Sequence, residues 1–137
     1  MSSQAPPPDP LIGRTFSQYE IVAKLGGGGM GVVYQARDTK LGRFVALKFL
    51  PAEWSHDDGA KQRFIREAQA ASATLHKSLC TVHDIAETSD GRLFIVMALY
   101  EGETLKRRLE RGPLPIADAL DIAADLAEGL SKAHGQG

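Results

Sequence analysis

The chain has 137 residues, 43% of them hydrophobic and 24% charged, which suffices for one soluble domain with a buried core. Its formal net charge of -1 gives no bulk reason to expect nucleic acid or an anionic membrane surface as a partner. A single cysteine, Cys80, excludes an internal disulfide and fits a reducing cytoplasm, and no stretch approaches the roughly 18 apolar residues of a membrane span. The histidines lack metal-ligand spacing: His56, His76, His83 and His134.

The N-terminal leader is rich in proline. It has the sequence MSSQAPPPDP, with no basic start and no apolar run, so it is not a signal peptide. This composition predicts a disordered, partly extended segment over residues 1–18.

Three strands are predicted next, at residues 19–25 (YEIVAKL), 32–38 (VVYQARD) and 43–50 (RFVALKFL). Alternation places Val33, Gln35 and Arg37 on one face of the second strand. On the third strand, Ala46 and Lys48 share a face.

A helix is predicted from Asp57, which offers an N-cap, to about residue 75. Its apolar stripe is formed by Phe64, Ala68, Ala71 and Leu75. Glu67 lies on the same stripe, and a carboxylate on a core-facing side needs a partner.

The second half predicts two more strands, CTVHDIAE and RLFIVMAL, around the turn TSDG, and then a short helix in ETLKRRLER. A long amphipathic helix runs from Pro115 to about His134. Its apolar face comprises Ile116, Ala119, Leu120, Ala123, Leu126, Ala127 and Leu130. Five short strands with one helix after the third predict an α+β fold with an antiparallel sheet.

The glycine run between the first two strands is either a flexible linker or a loop that covers phosphates. Gly26, Gly28 and Gly31 fit G-x-G-x-x-G. A dinucleotide-binding fold would open a helix directly afterwards, whereas Val32 and Val33 are strand formers. The loop therefore joins two antiparallel strands, and its bare backbone could close over phosphates.

Lys48 supplies a second indication of a nucleotide site. The small Ala46 beside it would let a flat ring pack closely while the ammonium reaches the phosphates, and Val33 could cover the other side of the ring. Glu67 would be its natural partner. The alternatives are that Lys48 is simply solvated and that the helix phase that places Glu67 inward is misjudged. The order of glycine-rich loop, strand with its lysine and helix with its glutamate favours a nucleotide site.

These features in this order resemble the protein kinase family, in particular the bacterial eukaryotic-like Ser/Thr kinases. The matching segments are LGGGGMGVVYQARD, VALK, RFIREAQAASATLHKSLCTVHDI and RLFIVMALYEGETLKRRL. The resemblance covers residues 19–137. It implies a kinase N-lobe at 19–100, with a five-stranded antiparallel sheet and a regulatory helix, and the first two helices of a C-lobe at 101–137.

The resemblance also implies an ATP site. Its residues would be Leu25, Gly26, Gly27, Gly28, Gly29, Met30, Gly31, Val33, Ala46, Lys48, Glu67, Met97, Ala98 and Leu99. The glycine-rich loop would arch over the triphosphate, and Val33 and Ala46 would hold the adenine between them. Lys48 would contact the α- and β-phosphates and pair with Glu67.

The hinge of the family would follow the last strand. Met97 would be the gatekeeper at the back of the pocket, and backbone groups of Ala98 and Leu99 would bind the adenine edge. The family often has Glu where Ala98 stands, but the backbone supplies these hydrogen bonds.

Two motifs of the family do not occur in the chain: the His-Arg-Asp catalytic loop with its Asn, and Asp-Phe-Gly. They position the substrate hydroxyl and hold two magnesium ions. The resemblance thus implies a kinase that uses ATP, Mg²⁺ and protein substrates in a full-length form. We expect no catalytic residues and no kinase activity in this chain alone.

The final helix suggests an alternative. Its apolar face, left open, predicts poor solubility, self-association or a mobile helix. The chain could then be a catalytically dead kinase-like module that acts by protein–protein interaction. The intact glycine loop, Lys48 and Glu67 favour the N-terminal part of a kinase, because a pure binding module needs none of them.

Overall fold

The computed structural model describes residues 6–28 and 31–136 and contains six strands and three α-helices in that part of the chain. The strands are β1 (Thr15–Phe16), β2 (Tyr19–Gly28), β3 (Gly31–Asp38), β4 (Arg43–Phe49), β5 (Val82–Glu87) and β6 (Leu93–Ala98). The helices are α1 (Asp58–Ala73), α2 (Leu105–Leu109) and α3 (Ile116–His134), and a 3-10 turn spans Ala52–Trp54. All strand pairs are antiparallel, in the order β1-β2-β3-β4-β6-β5. The predicted α+β fold is confirmed, with the short β1 added to it.

The two faces of the sheet have different roles because successive side chains of a strand point to opposite faces. On β4, Val45, Leu47 and Phe49 are fully buried. They lie on the face that carries the core, together with Tyr19, Ile21, Tyr34, Ala36, Phe94 and Val96. Ala46 and Lys48 alternate with them and therefore belong to the other face, which we call the cleft face.

The leader differs from its prediction. Residues 1–18 were expected to be disordered, but from Asp9 onward the chain packs on the core face. Leu11 and Phe16 contact the core cluster, and β1 pairs with β2. The Phe16 ring meets Phe49 edge-on, with 5.6 Å between ring centroids. Proline content predicts disorder, but it takes no account of Leu11 and Phe16, which follow the prolines. These two apolar side chains bury enough surface on the core to order the segment.

Truncating Phe16 should therefore destabilise the domain. We expect Phe16→Ala to lower the free energy of unfolding by about 2–3 kcal/mol, less than for a fully buried ring because Phe16 is half-buried. Ile12→Ala is the matched control, since Ile12 lies in the same segment and is 46% exposed. It should change stability by less than about 0.5 kcal/mol in urea titrations. Equal losses for the two variants would contradict the packing described here.

Helix α1 begins where the sequence predicts. The Asp57 side chain caps it by accepting a hydrogen bond from the Ala60 N–H at 3.0 Å. The helix ends at Ala73, with Thr74 as its C-cap, before the predicted end at Leu75.

The apolar stripe predicted for α1 is only partly buried. Ala60 and Ala68 are buried and Phe64 is half-buried, whereas Ala71 is exposed and Leu75 is 74% exposed. The helix packs mainly against β5, the edge strand of the sheet. The stripe is thus correct at its start and wrong at its end, because the helix ends at Ala73 and Leu75 lies beyond it.

Helix α3 packs on the loop before β5 through an unexpected side. Its buried residue is Gly129, where a Cβ would lie 3.0 Å from the Ser78 Cβ. Lys77 Nζ lies 2.7 Å from Asp125 Oδ1, a residue outside the predicted apolar face. The predicted apolar face is exposed, at 80% for Ile116, 65% for Leu120, 53% for Leu126 and 55% for Leu130. None of the helices described is long and apolar enough to cross a bilayer.

Candidate functional site

A cleft of about 600 Å³ lies between the start of the glycine-rich hairpin and the segment after β6. Its lining residues are Leu25, Gln35, Phe44, Leu99, Tyr100, Glu101 and Gly102. Leu25 and Leu99 were predicted from the sequence, and the other five were missed. Gln35 and Phe44 could have been found by alternation, because they continue the faces that carry Val33 and Ala46. A wider depression of about 770 Å³ beside the end of α3 contains none of the predicted residues.

The glycine-rich hairpin joins β2 and β3, with Gly28 opposite Gly31. Gly29 and Met30, also predicted for the site, lie outside the described residues. At Gly31 the backbone has φ +106°, and a Cβ would lie 2.1 Å from the Phe49 carbonyl oxygen. Only glycine fits this position without displacing the backbone of β4. At Gly26 a Cβ would meet no atom within 4 Å, so the backbone there borders open space.

The cleft face of the sheet brings four predicted residues together. Lys48 stands opposite Val33 on β3, and Ala46 stands opposite Met97 on β6. Directly opposite residues of an antiparallel pair share a face, so all four lie on one surface. Ala46 is only 6% exposed, whereas the other three are half-buried. A small buried residue beside a partly accessible lysine leaves room for a flat ring next to a cation.

The hinge segment differs in detail from its prediction. The N–H of Ala98 donates to the Thr81 carbonyl at 2.9 Å and so is not available to a ligand. Leu99 and Tyr100 follow the end of β6 and make no main-chain hydrogen bond within the described part of the chain. The Ala98 N–H is therefore occupied, whereas the main-chain groups of Leu99 and of Tyr100, which the sequence analysis did not include, are free within the described residues. The end of the strand β6 could have indicated these free groups, because main-chain hydrogen bonds between strands stop where a strand ends.

Lys48 and Glu67 are not paired in the structure. The ion pairs within 4.0 Å among the described residues join other groups: Lys61–Glu87, Lys77–Asp125, Lys77–Glu128 and Arg111–Glu103. Glu67 is exposed and borders a cavity of about 400 Å³ with Ala71, Leu79 and others. Since β6 lies between β4 and β5, the helix that packs on β5 holds this carboxylate away from the lysine. The predicted partnership is thus absent from this conformation.

The described residues contain no group of three or more His, Cys, Asp or Glu side chains placed to hold a metal ion. The arrangement on the cleft face, by contrast, fits a nucleotide: open backbone at Gly26 of the hairpin, a small buried residue beside a lysine, and free backbone groups at the edge. Such groups recognise a purine edge and a phosphate chain without large rearrangement.

Comparison with known proteins gives a consistent result. The protein kinase domain model matches residues 19–137. The chain is 40% identical over 126 residues to the serine/threonine-protein kinase PrkC of Bacillus subtilis (strain 168), covering 90% of this chain and 19% of PrkC. It is 43% identical over 124 residues to the serine/threonine-protein kinase PknB of Mycobacterium leprae (strain TN), covering 88% of this chain and 20% of PknB.

The solved structures agree. A double mutant of the PknI kinase domain of Mycobacterium tuberculosis matches with a TM-score of 0.82 and 33% identity, over 91% of this chain and 52% of that one. The chain spans about one fifth of the curated relatives and about half of this kinase domain. Since the family model matches residues 19–137, the chain belongs to the protein kinase family.

Proposed function

We propose that the cleft binds ATP and that the chain supplies the nucleotide-binding part of a kinase that transfers the γ-phosphate to Ser or Thr of proteins. The observation that carries this proposal is the shared cleft face of Val33, Ala46, Lys48 and Met97 beneath a bare glycine hairpin. In a flexible linker nothing would require glycine at position 31, whereas here Gly31 lies against the Phe49 carbonyl.

Each part of the cleft has a role in this proposal. Val33 and Ala46 lie on the same face of the sheet and therefore cover one side of the adenine, not the two sides predicted from the sequence, while the free backbone groups of Leu99 and Tyr100 bind its edge. Lys48 contacts the α- and β-phosphates. Mg²⁺ supplies charge neutralisation on the phosphates in this family. The motifs whose Asp and Asn hold magnesium do not occur in these 137 residues.

The chain alone should bind ATP weakly and not transfer its phosphate. We expect a dissociation constant on the order of 0.1–1 mM, or about -4 to -5.5 kcal/mol, because only one side of the nucleotide is covered. Titration with a fluorescent ATP analogue measures the affinity. Incubation with γ-labelled ATP, magnesium and a generic protein substrate should give no labelled protein, because the catalytic loop is missing. Stoichiometric turnover by pure chain would contradict this expectation.

A second function is favoured by the exposed face of α3. Ile116, Leu120, Leu126 and Leu130 together present an apolar surface larger than scattered side chains would. A kinase-like module could use it to bind another protein or a second copy, without any nucleotide. The titration above separates the two proposals, because a pure interaction module has no reason to bind ATP at any concentration. Light scattering of the chain tests self-association.

A further inference from the structure

The leader residues Asp9–Phe16, which we call the strap, cross the core face of the sheet, opposite the cleft. The strap is held by backbone hydrogen bonds to β2, from the Gly13 N–H to the Ile21 carbonyl and from the Ile21 N–H to the Arg14 carbonyl, both at 2.9 Å. These contacts fix its path across the sheet over two successive positions.

Asp9 anchors the start of the strap to β3. Its Oδ2 accepts a hydrogen bond from the Tyr34 hydroxyl at 2.7 Å, and its Oδ1 accepts one from the Leu11 N–H at 3.0 Å. The Leu11 N–H first, and then the Tyr34 hydroxyl, lower the pKa of the Asp9 carboxyl. Burial, followed by the bond to Asp9, raises the pKa of Tyr34 to about 12. At neutral pH the tyrosine therefore donates to a charged carboxylate, which is the stronger kind of hydrogen bond.

The strap is linked to the glycine-rich hairpin through two aromatic rings. Tyr34 lies on β3, just after Gly31, and its ring meets Phe49 edge-on at 5.7 Å. Phe16 of the strap contacts the same Phe49 ring at 5.6 Å. The Phe49 carbonyl occupies the space next to Gly31 that a Cβ would need. The strap thus contacts Tyr34 and Phe49, and these two residues lie beside the start of β3 where it follows the hairpin turn.

We propose that the strap positions the glycine-rich hairpin from behind the sheet, with Asp9 acting through Tyr34 as a positioning residue for the cleft. The effect on nucleotide affinity rests on the function proposed above, whereas the effect on hairpin order does not. Neither Asp9 nor Tyr34 is among the residues that line the cleft, and the Tyr34 side chain belongs to the core on the opposite face of the sheet, so neither side chain contacts a ligand in the cleft directly.

The test removes the Tyr34 hydroxyl and keeps its ring. In the 137-residue chain, Tyr34→Phe should speed amide hydrogen exchange of residues 26–28 and 31–33 by about 5- to 20-fold and weaken binding of a fluorescent ATP analogue about 3- to 10-fold, the range that one charge-assisted hydrogen bond supplies. Asp9→Asn should shift both quantities in the same direction. The double variant should be no worse than Tyr34→Phe alone, because both changes break one interaction.

Tyr19→Phe is a matched control. Tyr19 is equally buried, at 3% exposed, and its hydroxyl donates to Asp84 Oδ2 at 3.3 Å. It stands opposite Asp38, at the far end of the β2–β3 ladder from the hairpin. Loss of the Tyr19 hydroxyl should lower global stability about as much as loss of the Tyr34 hydroxyl does. It should leave the amide exchange of the hairpin and the ATP affinity unchanged.

The outcomes separate the strap from the proposed function. Faster amide exchange of the hairpin in Tyr34→Phe but not in Tyr19→Phe supports the positioning role of the strap. This conclusion holds even if no variant binds ATP, and that second result would contradict the proposed nucleotide function instead. Unchanged hairpin exchange and unchanged ATP affinity in Tyr34→Phe overturn the strap. Equal effects of the two tyrosine variants also overturn it, since they would show a general loss of stability.

Discussion

Lys48→Met should weaken ATP binding at least about 10-fold while leaving the fold intact. Lys48 is half-buried on the cleft face, opposite Val33, where its ammonium can reach the phosphates of a nucleotide bound under the hairpin. A lysine paired with phosphate oxygens in a partly desolvated cleft contributes about 1.5–3 kcal/mol, and methionine keeps the length of the side chain without its charge. Competition between ATP and a fluorescent analogue measures the change.

Two further variants sharpen this prediction. Lys61→Met is the matched control, because Lys61 pairs with Glu87 at 3.1 Å on another part of the surface and should not affect ATP binding. Glu67→Gln should change ATP affinity less than about twofold in this chain, because Glu67 is exposed and does not pair with Lys48. A loss as large as that of Lys48→Met would show that the two side chains pair when nucleotide binds.

Gly31→Ala should destabilise the domain by about 2–4 kcal/mol. The added Cβ would lie 2.1 Å from the Phe49 carbonyl oxygen, and φ +106° is unfavourable for any residue with a side chain. Relief requires the start of β3, next to the turn of the hairpin, to move away from the end of β4. Urea unfolding followed by circular dichroism measures the loss, and the midpoint should fall without a change in slope.

Gly26→Ala is the control for that variant within the same hairpin. No atom lies within 4 Å of the position a Cβ would take, so stability should change by less than about 0.5 kcal/mol. If Gly31→Ala were as mild as Gly26→Ala, the close approach of the hairpin to β4 would not exist in solution. A loss of ATP affinity in Gly26→Ala at constant stability would indicate that the nucleotide needs the bare backbone.

The pattern of the sequence predicted most of the secondary structure because the relevant interactions are local. The five strands of the prediction and the three helices all occur, and Asp57 caps α1 as expected. Alternation placed Ala46 and Lys48 on one face of their strand, whereas the pairing of Val33 with Lys48, which puts Val33 on the same face of the sheet, was decided by the register of the ladder. The leader was the exception, since the packing of Phe16 on Phe49 joins residues far apart in sequence.

What the sequence by itself determined is the order of strands and helices, the glycine-rich hairpin and the alternation of side chains within each strand, because strand period and turn chemistry depend only on neighbours along the chain. The tertiary structure alone decided three other points. Glu67 does not pair with Lys48, the Ala98 N–H bonds to the Thr81 carbonyl, and the leader anchors to Tyr34. Each depends on which strand a helix or segment packs against, and that choice is made by contacts between distant residues, which periodicity cannot encode.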